Sequence, residues 1–117
     1  MAKSNTRRSN STRRNDTVAR VRSWGRPCAL CGEPIDYGLP ARHPECYECD
    51  EIVPHSLGGS PYDIANQQPA HRECNRMRGN RLMGTFVIVR DSSGKRRLID
   101  LKESPKAAGN LPLKREW

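Results

Sequence analysis

The chain has few of the residues that build a hydrophobic core. Of its 117 residues, 34% are apolar, 5% are aromatic, and phenylalanine occurs once. A core made of side chains alone would be thin, and such chains usually lean on a metal or on disulfides. Long apolar runs are missing too. No stretch of about 18 apolar residues exists, which excludes a membrane-spanning helix. The basic N-terminus is not followed by an apolar segment, so no secretory signal peptide is expected and the cytoplasm is the expected compartment. There are five cysteines, an odd number that cannot form a complete disulfide framework. In a reducing compartment, paired Cys-x-x-Cys spacing favours metal. The length allows one domain with tails, and there are no internal repeats.

Acids are scarce at one end. Residues 1–26 carry eight basic residues and one acid, while the remainder is nearly balanced, although the whole chain has a net charge of +8. A basic arm of this kind binds polyanions by releasing condensed counterions, without reading sequence. Residues 1–14 are Ser, Asn, Thr and Arg with almost nothing to bury, and composition predicts disorder there. Asn15 reads as a helix cap before a short helix over 16–23, which Gly25 and Pro27 end. Trp24 reads as a core anchor.

What the chain does have is concentrated between Cys28 and Asn80. This stretch holds every cysteine and every histidine. Cys28-Ala-Leu-Cys31-Gly32 has the form of a zinc knuckle: two thiolates two residues apart can share one tetrahedral ion. Residues 33–44, rich in proline, read as loop, with His43 on the surface. Residues 46–53 read as a strand that Pro54 closes, and a second short strand is expected around 65–69 with Asn66 inside it. A helix is expected to start near His71. His71 and Cys74 then lie three apart on one face, within reach of one ion. Cys46-x-x-Cys49 leaves a second assignment open, a Cys₄ site with Cys28 and Cys31. Residues 85–90 and 96–101 flank a Ser-Ser-Gly turn and read as a hairpin, followed by an irregular tail ending in Trp117.

Cys28-x-x-Cys31, Asp50-Glu-Ile-Val-Pro54, Ser56-Leu-Gly-Gly59, Asn66 and His71-x-x-Cys74-Asn75 occur in that order. In this the sequence resembles the HNH endonucleases, in particular small zinc-bearing members of actinobacteria and their phages. The resemblance covers residues 28–81. It implies an α+β fold: a zinc-stabilised, treble-clef-like ββα-metal domain over 27–84, between a flexible basic arm over 1–26 and a hairpin with tail over 85–117. It implies a structural Zn²⁺ on Cys28, Cys31, His71 and Cys74. It implies a catalytic Mg²⁺ or Mn²⁺ on Asp50 and Asn75, with Asn66 steadying the loop. The substrate implied is DNA, in the cytoplasm of a host if the gene is a phage's, with terminase or packaging proteins as partners. Glu51 stands where the family places a general-base histidine. It could act as the base, act as a further ligand, or mark a zinc-stabilised module that binds nucleic acid without cutting it. His55 is a substitute base. The arginines expected on DNA are Arg7, Arg8, Arg13, Arg14, Arg20 and Arg22 of the arm and Arg72, Arg76 and Arg78 on the exposed side of the helix.

The charge distribution generates a first prediction. Removing the arm's positive charge should weaken binding to all duplexes alike and flatten the dependence of log affinity on log salt. Filter binding at several salt concentrations measures this; an unchanged slope would reject it.

Overall fold

The computed structural model describes residues 2–101, with side chains from Ser11 onward; the expectations for 102–117, the docked Trp117 included, lie outside the described residues. The architecture is α+β. In chain order the elements are helix α1 (Ala2–Ser23), strands β1 (Tyr47–Glu51) and β2 (Gln67–His71), helix α2 (Arg72–Arg78), and strands β3 (Phe86–Arg90) and β4 (Arg96–Asp100). β1 and β2 form one antiparallel two-stranded sheet and β3 and β4 another. No described helix is long and apolar enough to cross a membrane.

The arm differs from expectation. α1 runs from Ala2 to Ser23, longer than the short helix expected over 16–23, and Asn15 lies inside the helix rather than capping it. The reason is local. Residues 2–23 contain no glycine or proline, and alanine, lysine and arginine are good helix formers. The first interruption is Gly25, at φ 64°. A helix this polar is marginal alone and needs a partner surface. Its C-terminal half finds one. Val21 is fully buried, the Thr17 hydroxyl reaches the Tyr62 carbonyl at 3.2 Å, and the Tyr47 hydroxyl donates to the Val18 carbonyl at 2.7 Å. Trp24, expected in the core, is only half-buried, with the Arg26 guanidinium 4.3 Å from its ring centre.

The β1–β2 register pairs Tyr47 with His71 and Glu51 with Gln67. β2 therefore starts later than expected. Asn66 closes a 3-10 turn, Ile64–Asn66, instead of lying in the strand. Asp63 caps that turn by accepting from the Ala65 amide at 3.0 Å, as short acidic side chains do. α2 follows β2 without a loop, so the strand and the helix share the corner at His71. Gly79, at φ 60°, ends the helix and returns its amide to the Asn75 carbonyl at 3.3 Å. The hairpin turn is organised by Asp91, whose Oδ1 accepts from the Ser93 and Lys95 amides.

The core is small, as composition requires. Cys28, Leu30, Ile35, Ala70, Cys74, Phe86 and Ile88 form it, with Tyr37, Tyr47, Met77 and Leu98 packed around. Phe86 and Ile88 come from the inward face of β3, whereas Val87 and Val89 point out. Arg96 of β4 is also buried and binds carboxylates of Glu33, Glu45 and Glu73, which fastens the hairpin to the loop before β1 and to α2.

Because Val21 is fully buried, α1 has a structural role as well as its charge. Val21→Ala removes two buried carbons and leaves a cavity. The expected cost is about 2 kcal/mol in urea unfolding, with faster amide exchange in the second half of α1. For the same reason the arm's charge is best removed by substituting its arginines rather than by deletion.

Candidate active site and metal centre

Two sites share one short stretch of chain. The first is the corner where the Cys28–Cys31 turn meets β2 and α2. One ligand atom each from Cys28, Cys31, His71 and Cys74 lies within 4.8 Å of the others. The hydrogen bonds around them suit zinc. His71 Nε2 lies 2.9 Å from the Pro34 carbonyl. A carbonyl only accepts, so Nε2 carries the proton and Nδ1 offers its lone pair. Nδ1 faces the sulfurs, 3.4 Å from Cys31 Sγ and 3.7 Å from Cys74 Sγ; Arg96 Nη2 lies 3.3 Å from the same nitrogen, whose one lone pair serves either that donor or an ion. The His71 amide points at Cys28 Sγ at 3.4 Å. The Cys28 thiol is lowered to about 4 by the Cys74 thiol and by backbone amides around it, while Cys74 moves the other way because it holds the shared proton. A thiolate is thus favoured at Cys28, the form a metal needs.

Cys46 and Cys49 lie elsewhere. Cys46 is buried just before β1, and Cys49 Sγ approaches Gln67 Oε1 at 3.4 Å. Among the described residues the thiols and imidazole that converge are those of Cys28, Cys31, His71 and Cys74, not the Cys₄ alternative.

The second site is a cleft of about 250 Å³ lined by Arg14, Cys49, Asp50, Glu51, Pro54, Asn75 and Gly79. Asp50 and Glu51 are neighbours on β1, and strict alternation would send them to opposite faces. They meet in the cleft because β1 ends at Glu51 and the chain bends at Ile52 and Val53. Asp50 is buried, and its Oδ2 takes both of its hydrogen bonds, from Gln68 Nε2 at 2.7 Å and Arg78 Nη1 at 2.6 Å. Burial pushes the Asp50 carboxyl up, and Gln68 and Arg78 pull it back down. Glu51 uses Oε1 to accept from the His55 amide at 2.9 Å. Asn75 directs its amide nitrogen to Glu48 Oε1 at 3.0 Å. Among the described residues this leaves Asp50 Oδ1, Glu51 Oε2 and Asn75 Oδ1 without a hydrogen-bond donor. Three oxygens of this kind around one cleft are a hard donor set of the sort Mg²⁺ and Mn²⁺ take.

Asn66 stands behind the cleft. Its Oδ1 accepts from the Val53 amide at 2.8 Å and its Nδ2 donates to the Val53 and Ser60 carbonyls. This clamps the loop 53–60. A Cβ on Gly59 would sit 1.7 Å from the Val53 carbonyl oxygen, so only glycine allows that closure. His55 is exposed, with Nδ1 at the Gly59 carbonyl, and does not line the cleft.

The arginines sort into different places. Arg78, expected on the exposed face of the helix, is fully buried and pairs with Asp50; its guanidinium also reaches the Glu51 and Ile52 carbonyls. The expectation of a DNA contact is corrected, because α2 is short and its last turn faces the end of β1. Arg72 is half-buried and pairs with Glu48 at 2.8 Å. Arg76, Arg20 and Arg22 are exposed; Arg22 also donates to the Tyr37 carbonyl at 2.6 Å. Arg13 stacks over the Tyr62 ring at 4.3 Å. Arg14 lines the cleft, fixed by the Pro61 carbonyl at 2.8 Å and Gln67 Oε1 at 3.0 Å. The side chains of Arg7 and Arg8 lie outside the described ones. An open groove of about 490 Å³ is lined by Arg42, Arg72 and Arg76 with Pro44, Glu73 and Met77.

Sequence reasoning missed Glu48 and Gln68. Glu48 was findable, since it lies two residues before Asp50 and so on the same strand face. Gln68 is set opposite Asp50 only by the register.

Residues 28–81, just under half of the chain, match the HNH endonuclease family. No curated protein and no solved structure matches the chain.

The ligand geometry predicts one zinc per chain that is required for folding. Cys28→Ser or Cys74→Ser should lose the zinc and aggregate, while Cys46→Ser and Cys49→Ser should keep it. Elemental analysis of purified protein decides this: zinc lost on replacing Cys46 and Cys49 would restore the Cys₄ assignment.

Proposed function

We propose, from the match of residues 28–81 to the HNH endonuclease family, that this chain nicks or cuts DNA with the help of a divalent metal. The observation that carries the reading is the cleft. Asp50, Glu51 and Asn75 line it together, and each has one oxygen free of hydrogen-bond donors. Asp50 and Asn75 are the residues that would hold Mg²⁺ or Mn²⁺. Such an ion, when bound, neutralises charge on the scissile phosphate and on the leaving oxygen.

The chain's own residues do the rest. Arg78 holds Asp50 Oδ2 at 2.6 Å, so Oδ1 keeps one orientation. The His55 amide holds Glu51 Oε1, leaving Oε2 to take a proton from the attacking water. Water attacks phosphorus, the bond to the 3′ oxygen breaks, and that oxygen takes a proton from solvent to leave as a 3′-hydroxyl opposite a 5′-phosphate, while Glu51 passes its proton back to solvent. A carboxylate is a weaker base than imidazole near neutral pH, so Glu51 depends on position more than on basicity. Arg14 sits on the cleft wall, within reach of a phosphate, and its guanidinium fits phosphate oxygens in a bidentate way. Arg76 and Arg42 of the open groove, with the arm, supply sequence-independent backbone contacts. If the gene is a phage's, the same activity would serve DNA processing or packaging beside terminase proteins in the host cytoplasm.

Supercoiled plasmid with Mg²⁺, Mn²⁺ or EDTA tests the reading. Zinc-loaded wild type should relax or linearise it with metal and not with EDTA, and Asp50→Ala should fall to background. Glu51→Gln keeps shape but removes basicity. It should bind metal and DNA normally while turning over about 10²-fold more slowly, and Glu51→His should retain or raise activity. DNA binding with no cleavage by wild type under any metal would instead identify a binding module.

A further inference from the structure

We infer that Glu48 is a positioning residue that turns the oxygen of Asn75 toward the cleft. The inference rests on the reading above, in which Asn75 is a metal ligand. An asparagine amide has two ends of nearly equal size. Only its oxygen can bind a cation, and a half-turn of the side chain presents the nitrogen instead. A carboxylate ligand has no such ambiguity of ends, so an asparagine ligand needs something to choose for it.

Glu48 makes that choice. Its carboxylate, when ionised, only accepts hydrogen bonds, so the 3.0 Å contact between Asn75 Nδ2 and Glu48 Oε1 fixes the nitrogen on the Glu48 side. Oδ1 must then point the other way. Asn75 lines the cleft and Glu48 does not, so the amide lies between them. Glu48 is itself held: Arg72 Nη1 grips its other oxygen, Oε2, at 2.8 Å. Strand alternation places Glu48 and Asp50 on the same face of β1, and α2 packs over that face. One strand therefore supplies a proposed ligand, Asp50, and, two residues earlier, the residue that orients its partner. Outer groups that orient ligands in this manner typically change metal affinity by about 10–100-fold when removed.

The test measures Mn²⁺ binding to zinc-loaded protein by electron paramagnetic resonance, so that cleavage is not the readout. Wild type should bind one Mn²⁺ that Asp50→Ala abolishes. Glu48→Gln can donate to the Asn75 oxygen as well as accept from its nitrogen. It should weaken Mn²⁺ about 10–100-fold, with zinc content and thermal midpoint unchanged. Asn75→Asp makes both ends oxygen, so in the Glu48→Gln background it should return affinity to within about threefold of wild type. That gain should exceed the effect of Asn75→Asp beside an intact Glu48, because the two changes act on one contact. A role for Glu48 in merely tying β1 to α2 predicts no such rescue. Wild-type Mn²⁺ affinity in Glu48→Gln, or equal effects of Asn75→Asp in both backgrounds, would overturn the inference while leaving the metal site standing. Wild type that binds no Mn²⁺ would overturn the metal reading itself, and this inference with it.

Discussion

The convergence of Cys28, Cys31, His71 and Cys74 is the constraint on which the rest of the structure depends. Cys28 and Cys74 are also members of the apolar core, so the candidate zinc ligands and the core are one body. A chain with so few large apolar side chains cannot hold a knuckle, a sheet and a short helix together by burial alone. Joining the turn at Cys28 to the corner at His71 ties together segments 43 residues apart, at the point where β2 runs into α2. Asn75 follows Cys74 directly, so an ion that fixes Cys74 also fixes the start of the Asn75 side chain.

Against this frame the pairing of β1 with α2 is electrostatic. Glu48 meets Arg72 and Asn75, and Asp50 meets Arg78. The Asp50–Arg78 pair is buried on both sides, and such a pair is costly to form yet more costly to break on one side. Its value here lies in orientation as much as in stability. By taking one oxygen of Asp50, Arg78 leaves the other aimed where a cation can use it. The same division recurs in Glu51, half committed to the His55 amide, and in Asn75, half committed to Glu48. Each side chain of the cleft is anchored through one polar atom and available through the next.

Much of this was legible in the sequence because it is local. Ligand pairs three residues apart, the Pro54 stop, the Gly79 helix end and the Ser-Ser-Gly hairpin are each written in a few adjacent residues. What was not legible depends on partners distant in the chain. Arg78 reads as one more surface arginine of a basic helix until the end of β1 is placed beside it. Asn66 reads as strand until Asp63 caps the turn before it. The length of α1 is hidden for another reason. Its mostly polar composition gives little helical pattern before Asn15, although residues 2–23 contain no glycine or proline and Val21 and Thr17 give the helix a surface to dock on. Arg96 gave no signal at all, since its burial follows from three glutamates brought together by folding.

The elements outside the matched segment are not appendages. α1 places Arg14 on the wall of the cleft and holds it there through the Pro61 carbonyl and Gln67. The hairpin sends Arg96 to within 3.3 Å of His71, where one guanidinium gathers Glu33, Glu45 and Glu73. A short ββα segment has a sheet of two strands and a helix of two turns, too little surface to shield either site. α1 covers one flank of that sheet, and the hairpin supplies Phe86 and Ile88 to the core around the cysteines. Charge follows the same division. The arm carries most of the net positive charge, while the domain interior spends its arginines on carboxylates. On the proposed function, attraction of a polyanion falls to one end of the chain and geometry at the phosphate to the middle, with Arg14, among the described side chains, the arginine of the arm that lines the cleft.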